Sequence, residues 1–125
     1  MFKFAWRNVV LPAIILTSCG KSLPVLDGID NLSWKNDKNG CAGKRSEMIE
    51  GIQAQKEKLL GLNELEMVNL LGKPDQNELY KRNQKFYYYF VQPSIACDSS
   101  GTDNPATLVI RFNAMGLAKE VNVNR

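Results

Sequence analysis

Asn63-Glu64-Leu65-Glu66-Met67-Val68-Asn69-Leu70-Leu71-Gly72-Lys73-Pro74-Asp75 is the stretch on which the fold class of this 125-residue chain turns. Asn63 followed three residues later by Glu66 is a capping-box pattern, in which each side chain satisfies a backbone N–H that the first helical turn leaves unpaired. Gly72 and Pro74 supply the stop. The pattern predicts a helix from Glu64 to Leu71 with Leu65, Val68 and Leu71 on its core face and Leu62 packed at its start. Beyond Pro74 the hydrophobic period changes from helical to two, so the chain passes from helix to antiparallel strand at this point.

Downstream, Glu78 to Arg82 and Gln84 to Val91 form a predicted hairpin turning near Asn83. Thr107 to Asn113 and Leu117 to Val123 form a second, with Asn113-Ala114-Met115-Gly116 as its turn. Period two places Phe86, Tyr88 and Phe90 on one face of their strand and Tyr87, Tyr89 and Val91 on the other. Leu108, Ile110 and Phe112 alternate with Val109 and Arg111 in the same way. Upstream, a helix of about four turns ends near Leu60, with Asn39 or Ser46 as its cap, Gly61 past its end and an apolar stripe of Cys41, Met48, Ile52 and Leu59. Gly51 inside that helix has no explanation in the sequence. Asp37-Lys38-Asn39-Gly40 resembles the start of a calcium loop, but the later ligands and the closing Glu are missing, which leaves a plain turn.

At the N-terminus, Leu16-Thr17-Ser18-Cys19 has the form of a lipobox, the site at which a bacterial signal peptide is removed and the new N-terminal cysteine acylated. Lys3 and Arg7 precede a short apolar run from Val9 to Leu16 that contains Pro12. A spanning helix needs about 20 apolar residues, so this run is a signal and not a permanent anchor. The expected organisation is a signal peptide over 1–18, a lipidated tether over 19–33 attached to the membrane through Cys19, and one domain over 34–125, with Trp34 where packing begins. Several acyl chains make such attachment effectively permanent.

Composition narrows the chemistry. Without Lys3 and Arg7 the 16 basic and 13 acidic residues come close to balance, which gives no case for nucleic-acid binding. With Cys19 assigned to lipid, Cys41 and Cys97 remain as a pair in an oxidising compartment and are expected to be bonded. The chain has no histidine, which removes the usual general base and most metal sites. Gly40-Cys41-Ala42-Gly43-Lys44 is too short for a phosphate loop, and no cofactor is expected. Glu64 and Glu66 complement a helix dipole and need no acid–base role.

The stretch from Gly61 to Asp75, with the aromatic strands that follow, resembles the signature of the SmpA/OmlA lipoproteins, the BamE-like family. In that family an apolar helix runs into Leu-Gly-x-Pro, here Leu71-Gly72-Lys73-Pro74, and the closing Leu-Val-Ile-Arg-Phe-Asn-x-x-Gly is matched at Leu108 to Gly116. The resemblance covers about Lys58 to Val123. It implies an α+β domain of two helices on one face of a three- to four-stranded antiparallel sheet in ααββββ order. It also implies an outer-membrane lipid anchor, for which Gly20 in place of Asp after the cysteine is consistent with sorting in related lipoproteins. The implied role is that of a periplasm-facing accessory in β-barrel or envelope protein assembly, with an envelope protein as partner. The cysteine pair, the long strand connection and the preceding helix depart from the family pattern.

The expected function is therefore non-enzymatic, through protein contacts. The candidate interface is Tyr87, Tyr89 and Arg111 on an uncovered sheet face, against the alternative that the tether or the Gln92 to Ala106 loop covers it. A lipid-tethered ligand-binding or enzyme-inhibitor module is the competing reading, and a pocket beneath that loop would favour it. Lys81, Arg82 and Lys85 could meet anionic headgroups, but a solvated basic turn is the favoured reading.

Overall fold

The computed structural model describes residues 22–98 and 101–125; the signal segment 1–18 and Cys19 lie outside them. The architecture is α+β, with helices first and a four-stranded antiparallel sheet after them. Three α-helices are present where two were expected: α1 (Asn31–Asn36), α2 (Lys44–Ala54) and α3 (Glu64–Leu71). The strands are β1 (Gln76–Tyr80), β2 (Gln84–Phe90), β3 (Thr107–Phe112) and β4 (Ala118–Asn124), each hydrogen-bonded to its neighbour in sequence. Among the described residues no helix is long and apolar enough to cross a membrane.

The extra helix is capped by Asp30, whose carboxylate accepts from Leu32 N and Ser33 N; the bond from the Ser33 hydroxyl, followed by these backbone bonds, holds its pKa below the usual carboxylate range. Packing begins upstream of Trp34: Leu26 is buried, and Ile29 lies against the core. Ile29 also accounts for Gly51. A Cβ at that position would sit 3.0 Å from the Ile29 Cδ1, so glycine leaves the room in which the N-terminal segment docks.

Helix α2 is shorter than the stripe implied and starts after Gly43, which makes no side-chain cap. Asp37 takes over that function from a distance, accepting from Ala42 N at 2.6 Å and Arg45 N at 2.9 Å. The buried face of α2 is Arg45, Ile49 and Ile52, and a separate 3-10 turn (Lys56–Lys58) leads to buried Leu59. Helix α3 has the expected bounds and capping box, with Glu66 N donating to the Asn63 side chain at 2.7 Å and Asn63 N to the Glu66 carboxylate at 3.0 Å. Its core face is Met67, Leu70 and Leu71, whereas Leu65 is 68% exposed.

The sheet presents one face to the helices. Tyr89, Leu108, Ile110, Phe112, Ala118 and Val121 are buried there. The second turn is held by the Asn113 side chain, which accepts from Met115 N and Leu117 N. Cys41 and Cys97 are disulfide-bonded with Cα atoms 5.5 Å apart, pinning the connection between β2 and β3 to the segment before α2. The same connection is held where Ser94 N donates to Asn39 O. Gly40 is required at this seam: its φ is +69°, and a Cβ would lie 2.5 Å from the Gln92 carbonyl oxygen.

Candidate interaction surface

Strand β2 decides which residues are available. Tyr87 pairs with Ile110 and Tyr89 with Leu108, so both tyrosines share the face of the buried β3 residues. Tyr89 is fully buried; its hydroxyl donates to the Gly72 carbonyl at 2.8 Å, and burial pushes the phenol pKa up strongly. Tyr87 is partly buried against the Phe112 ring, centroids 4.7 Å apart, and its hydroxyl donates to Glu64 at 3.4 Å. The expectation of Tyr87 and Tyr89 as exposed interface residues is thus corrected. The helices cover their face, and only Arg111 of the three candidates lies on the open one.

The open face is built from cross-strand rows. Gln76, Tyr88, Val109 and Asn122 form one, and Glu78, Phe86, Arg111 and Glu120 the next. Tyr80 and Phe86 meet edge to face at 5.8 Å, and Phe86 and Tyr88 are stacked at 6.2 Å. The Tyr88 hydroxyl donates to Glu78 at 2.9 Å. Arg111 donates to Gln84 at 3.2 Å and to Glu120 at 3.0 Å, so its guanidinium spans three strands. That contact holds the Glu120 carboxyl below its usual range. No helix lies over these rings, which are half-buried by one another and by neighbouring side chains.

The uncovered region continues onto β1, whose five residues are all exposed. Leu79, on the helix-side face, is 67% exposed because the helices cover β2 to β4 but stop short of β1. An edge strand open on both faces is a ready template for another chain. Lys81 and Arg82, in the turn after it, have no ion pair among the described residues, whereas Lys85 is paired with Glu64 at 3.0 Å.

Beneath the open face lies a polar cluster that the sequence reading missed. Arg45 is buried and donates to Asp75 at 2.6 Å, to Trp34 O at 3.0 Å and to Phe90 O at 3.1 Å. Its guanidinium lies 5.2 Å from the Trp34 ring centroid and 5.7 Å from that of Tyr89. Asp75 also accepts from Asn39 N and Phe90 N. The cluster joins α1, α2, the turn after α3 and the end of β2, and the two charged side chains are almost closed to solvent. Its chemistry is therefore positional. The available signal was Asp75, an acid directly after a helix stop, with one arginine in the upstream helix to pair with it.

The hollow between the two hairpin turns, lined by Glu64, Leu79, Lys85, Asn113 and Met115 among others, holds about 360 Å³ but is shallow and open to solvent. The hollow beneath the β2–β3 connection, lined by Ile49, Val91, Ala106 and Val123 among others, holds about 90 Å³, well below the roughly 300–1,000 Å³ of a small-molecule site. Among the described residues no group of three or more acids and cysteines is placed to hold a metal ion. The chain matches no family model, and no curated protein or solved structure matches it.

Proposed function

We propose that the protein is a lipid-anchored bacterial outer-membrane lipoprotein of SmpA/OmlA type, acting without catalysis as a periplasm-facing accessory or scaffold in envelope protein assembly. The observation that carries this reading is the uncovered sheet face, where Tyr80, Phe86 and Tyr88 form an aromatic ladder beside Arg111 and an exposed edge strand. Aromatic and arginine side chains are the residue types that dominate binding at protein interfaces. The lipobox at Cys19 and the helix–stop–strand signature support the anchor and the family. The disulfide suits an oxidising compartment.

The test is photo-crosslinking in cells from the open face. A photoreactive residue replacing Phe86 or Tyr88 is expected to capture an envelope assembly protein, while one replacing exposed Leu65 on the helix layer captures none. Equal capture from both faces, or none from the sheet, would overturn the assignment of the interface.

A further inference from the structure

The N-terminal segment leaves the domain at a fixed place. Lys58 Nζ donates to Val25 O at 3.0 Å and reaches the Asp27 carboxylate at 3.3 Å. Gln55 binds the Asp27 backbone on both sides, donating to its carbonyl at 2.8 Å and accepting from its N–H at 2.7 Å. Leu26 between them is buried. Cys19 stands six residues before Val25, and an extended chain covers at most about 3.6 Å per residue, so the two are within roughly 22 Å of each other. Acyl chains on Cys19 therefore hold the end of the domain that carries Val25 and Lys58 close to a bilayer.

That end has the composition of an interfacial contact. Leu60 is 42% exposed and shares one shallow depression with Lys56 and Lys119; Val25, nearby through Lys58, is 77% exposed. Lys56 and Lys119 have no ion pair among the described residues. Two of the neighbouring acids are engaged, Glu120 by Arg111 and Asp27 by Lys58, which leaves Glu57 as the opposing charge. Apolar side chains flanked by free lysines suit the boundary between acyl chains and anionic headgroups.

We propose that the surface formed by Val25, Lys56, Leu60 and Lys119 rests on the phospholipid leaflet that holds Cys19. This inference rests on the lipid-anchor reading above. It also orients the sheet. Strand β4 lies beside this surface, since Gly61 N and Ala118 O are bonded at 2.8 Å and Leu60 and Lys119 line the same depression. The order β1-β2-β3-β4 then places β1 three strand spacings further out, about 14 Å, with its free edge turned from the bilayer.

Two exposed leucines give a matched test. The full-length protein, processed in cells and purified with its native N-terminus, is prepared as Leu60→Cys and Leu79→Cys, each labelled with an environment-sensitive fluorophore. Both are placed in vesicles of phosphatidylethanolamine and phosphatidylglycerol containing a headgroup-attached quencher. Quenching at position 60 is expected to exceed that at position 79 several-fold, and Lys56→Glu with Lys119→Glu is expected to abolish the difference. Equal quenching at the two positions, with acyl chains on Cys19 shown by mass spectrometry, overturns the orientation and leaves the anchor standing. A contrast unchanged by the double charge reversal overturns the headgroup contact. A Cys19 without acyl chains overturns the anchor itself and the inference with it.

Discussion

Each side of the sheet has an arginine paired with a carboxylate, Arg45 with Asp75 among the helices and Arg111 with Glu120 on the open face, and the pairs differ in almost everything else. Arg45 and Asp75 are 1% and 4% exposed, are joined at 2.6 Å, and are surrounded by backbone partners and two aromatic rings. Arg111 and Glu120 are joined at 3.0 Å with 26% and 54% of their side chains in solvent. Burial makes the first pair obligatory, because removing one member leaves a buried charge with backbone partners but no counter-charge. Solvent makes the second pair dispensable, since water replaces either partner. A residue that is costly to lose holds the fold, and one that is cheap to lose is free to serve a partner.

Arg45→Met sharpens that contrast most. It strands Asp75 in the interior and is expected to destabilise the domain by about 3–5 kcal/mol in urea unfolding, a large share of the total stability of a small domain. Replacing Cys41 and Cys97 by serine removes a bond across 56 residues. The expected loss is about 2–4 kcal/mol, read as a lower urea midpoint and matched in the native protein by added reductant. Tyr89→Phe removes the bond to Gly72 O and costs about 1 kcal/mol at neutral pH.

The same substitution carries a pH signature. Burial raises the Tyr89 phenol above its unfolded value of about 10. The stability it contributes is complete below that unfolded value and is lost as pH rises beyond it toward the folded one. Tyr87 and Tyr88 shift in the same direction, so stability measured above pH 10 should fall less steeply in Tyr89→Phe than in the native chain, without becoming flat. Arg111→Ala is the smallest effect on stability, within the error of a urea titration, yet it is expected to reduce crosslinking from Tyr88. A large loss of stability from Arg111→Ala, or none from Arg45→Met, would break the comparison.

Local signals in the sequence were faithful where one residue type does one job. The capping box at Asn63 and Glu66, the stop at Gly72, the second hairpin and the cysteine pair stand in the structure as the pattern implies, whereas the leading strand of the first hairpin is Gln76–Tyr80 in place of Glu78 to Arg82, with Lys81 and Arg82 in the turn. Facing was harder to read. Strand β2 has five aromatic residues in succession, so alternation sorts them into two sets but does not say which set is inside; Val91, buried and sharing the parity of Tyr87 and Tyr89, was the available indicator. Helix α3 has five apolar residues among its eight, enough for two overlapping apolar stripes, and Met67, Leu70 and Leu71 at i, i+3 and i+4 prevailed over Leu65, Val68 and Leu71. The contacts of Arg45 with Asp75 and Phe90 span 30 and 45 positions, which no window of local pattern contains.

The meander of the sheet has a kinetic consequence. Each strand pairs with the next one along the chain, so neither hairpin needs a distant segment before it can form, and closure of β2 on β3 spans only their connecting loop. Pairing between strands adjacent in the chain favours rapid formation of the sheet. A polypeptide threaded through a translocation channel from its N-terminus would present the helical segment first, then one hairpin, then the other. It can complete its sheet in order of emergence, while contacts such as Arg45 to Asp75 and Cys41 to Cys97 reach back along the chain.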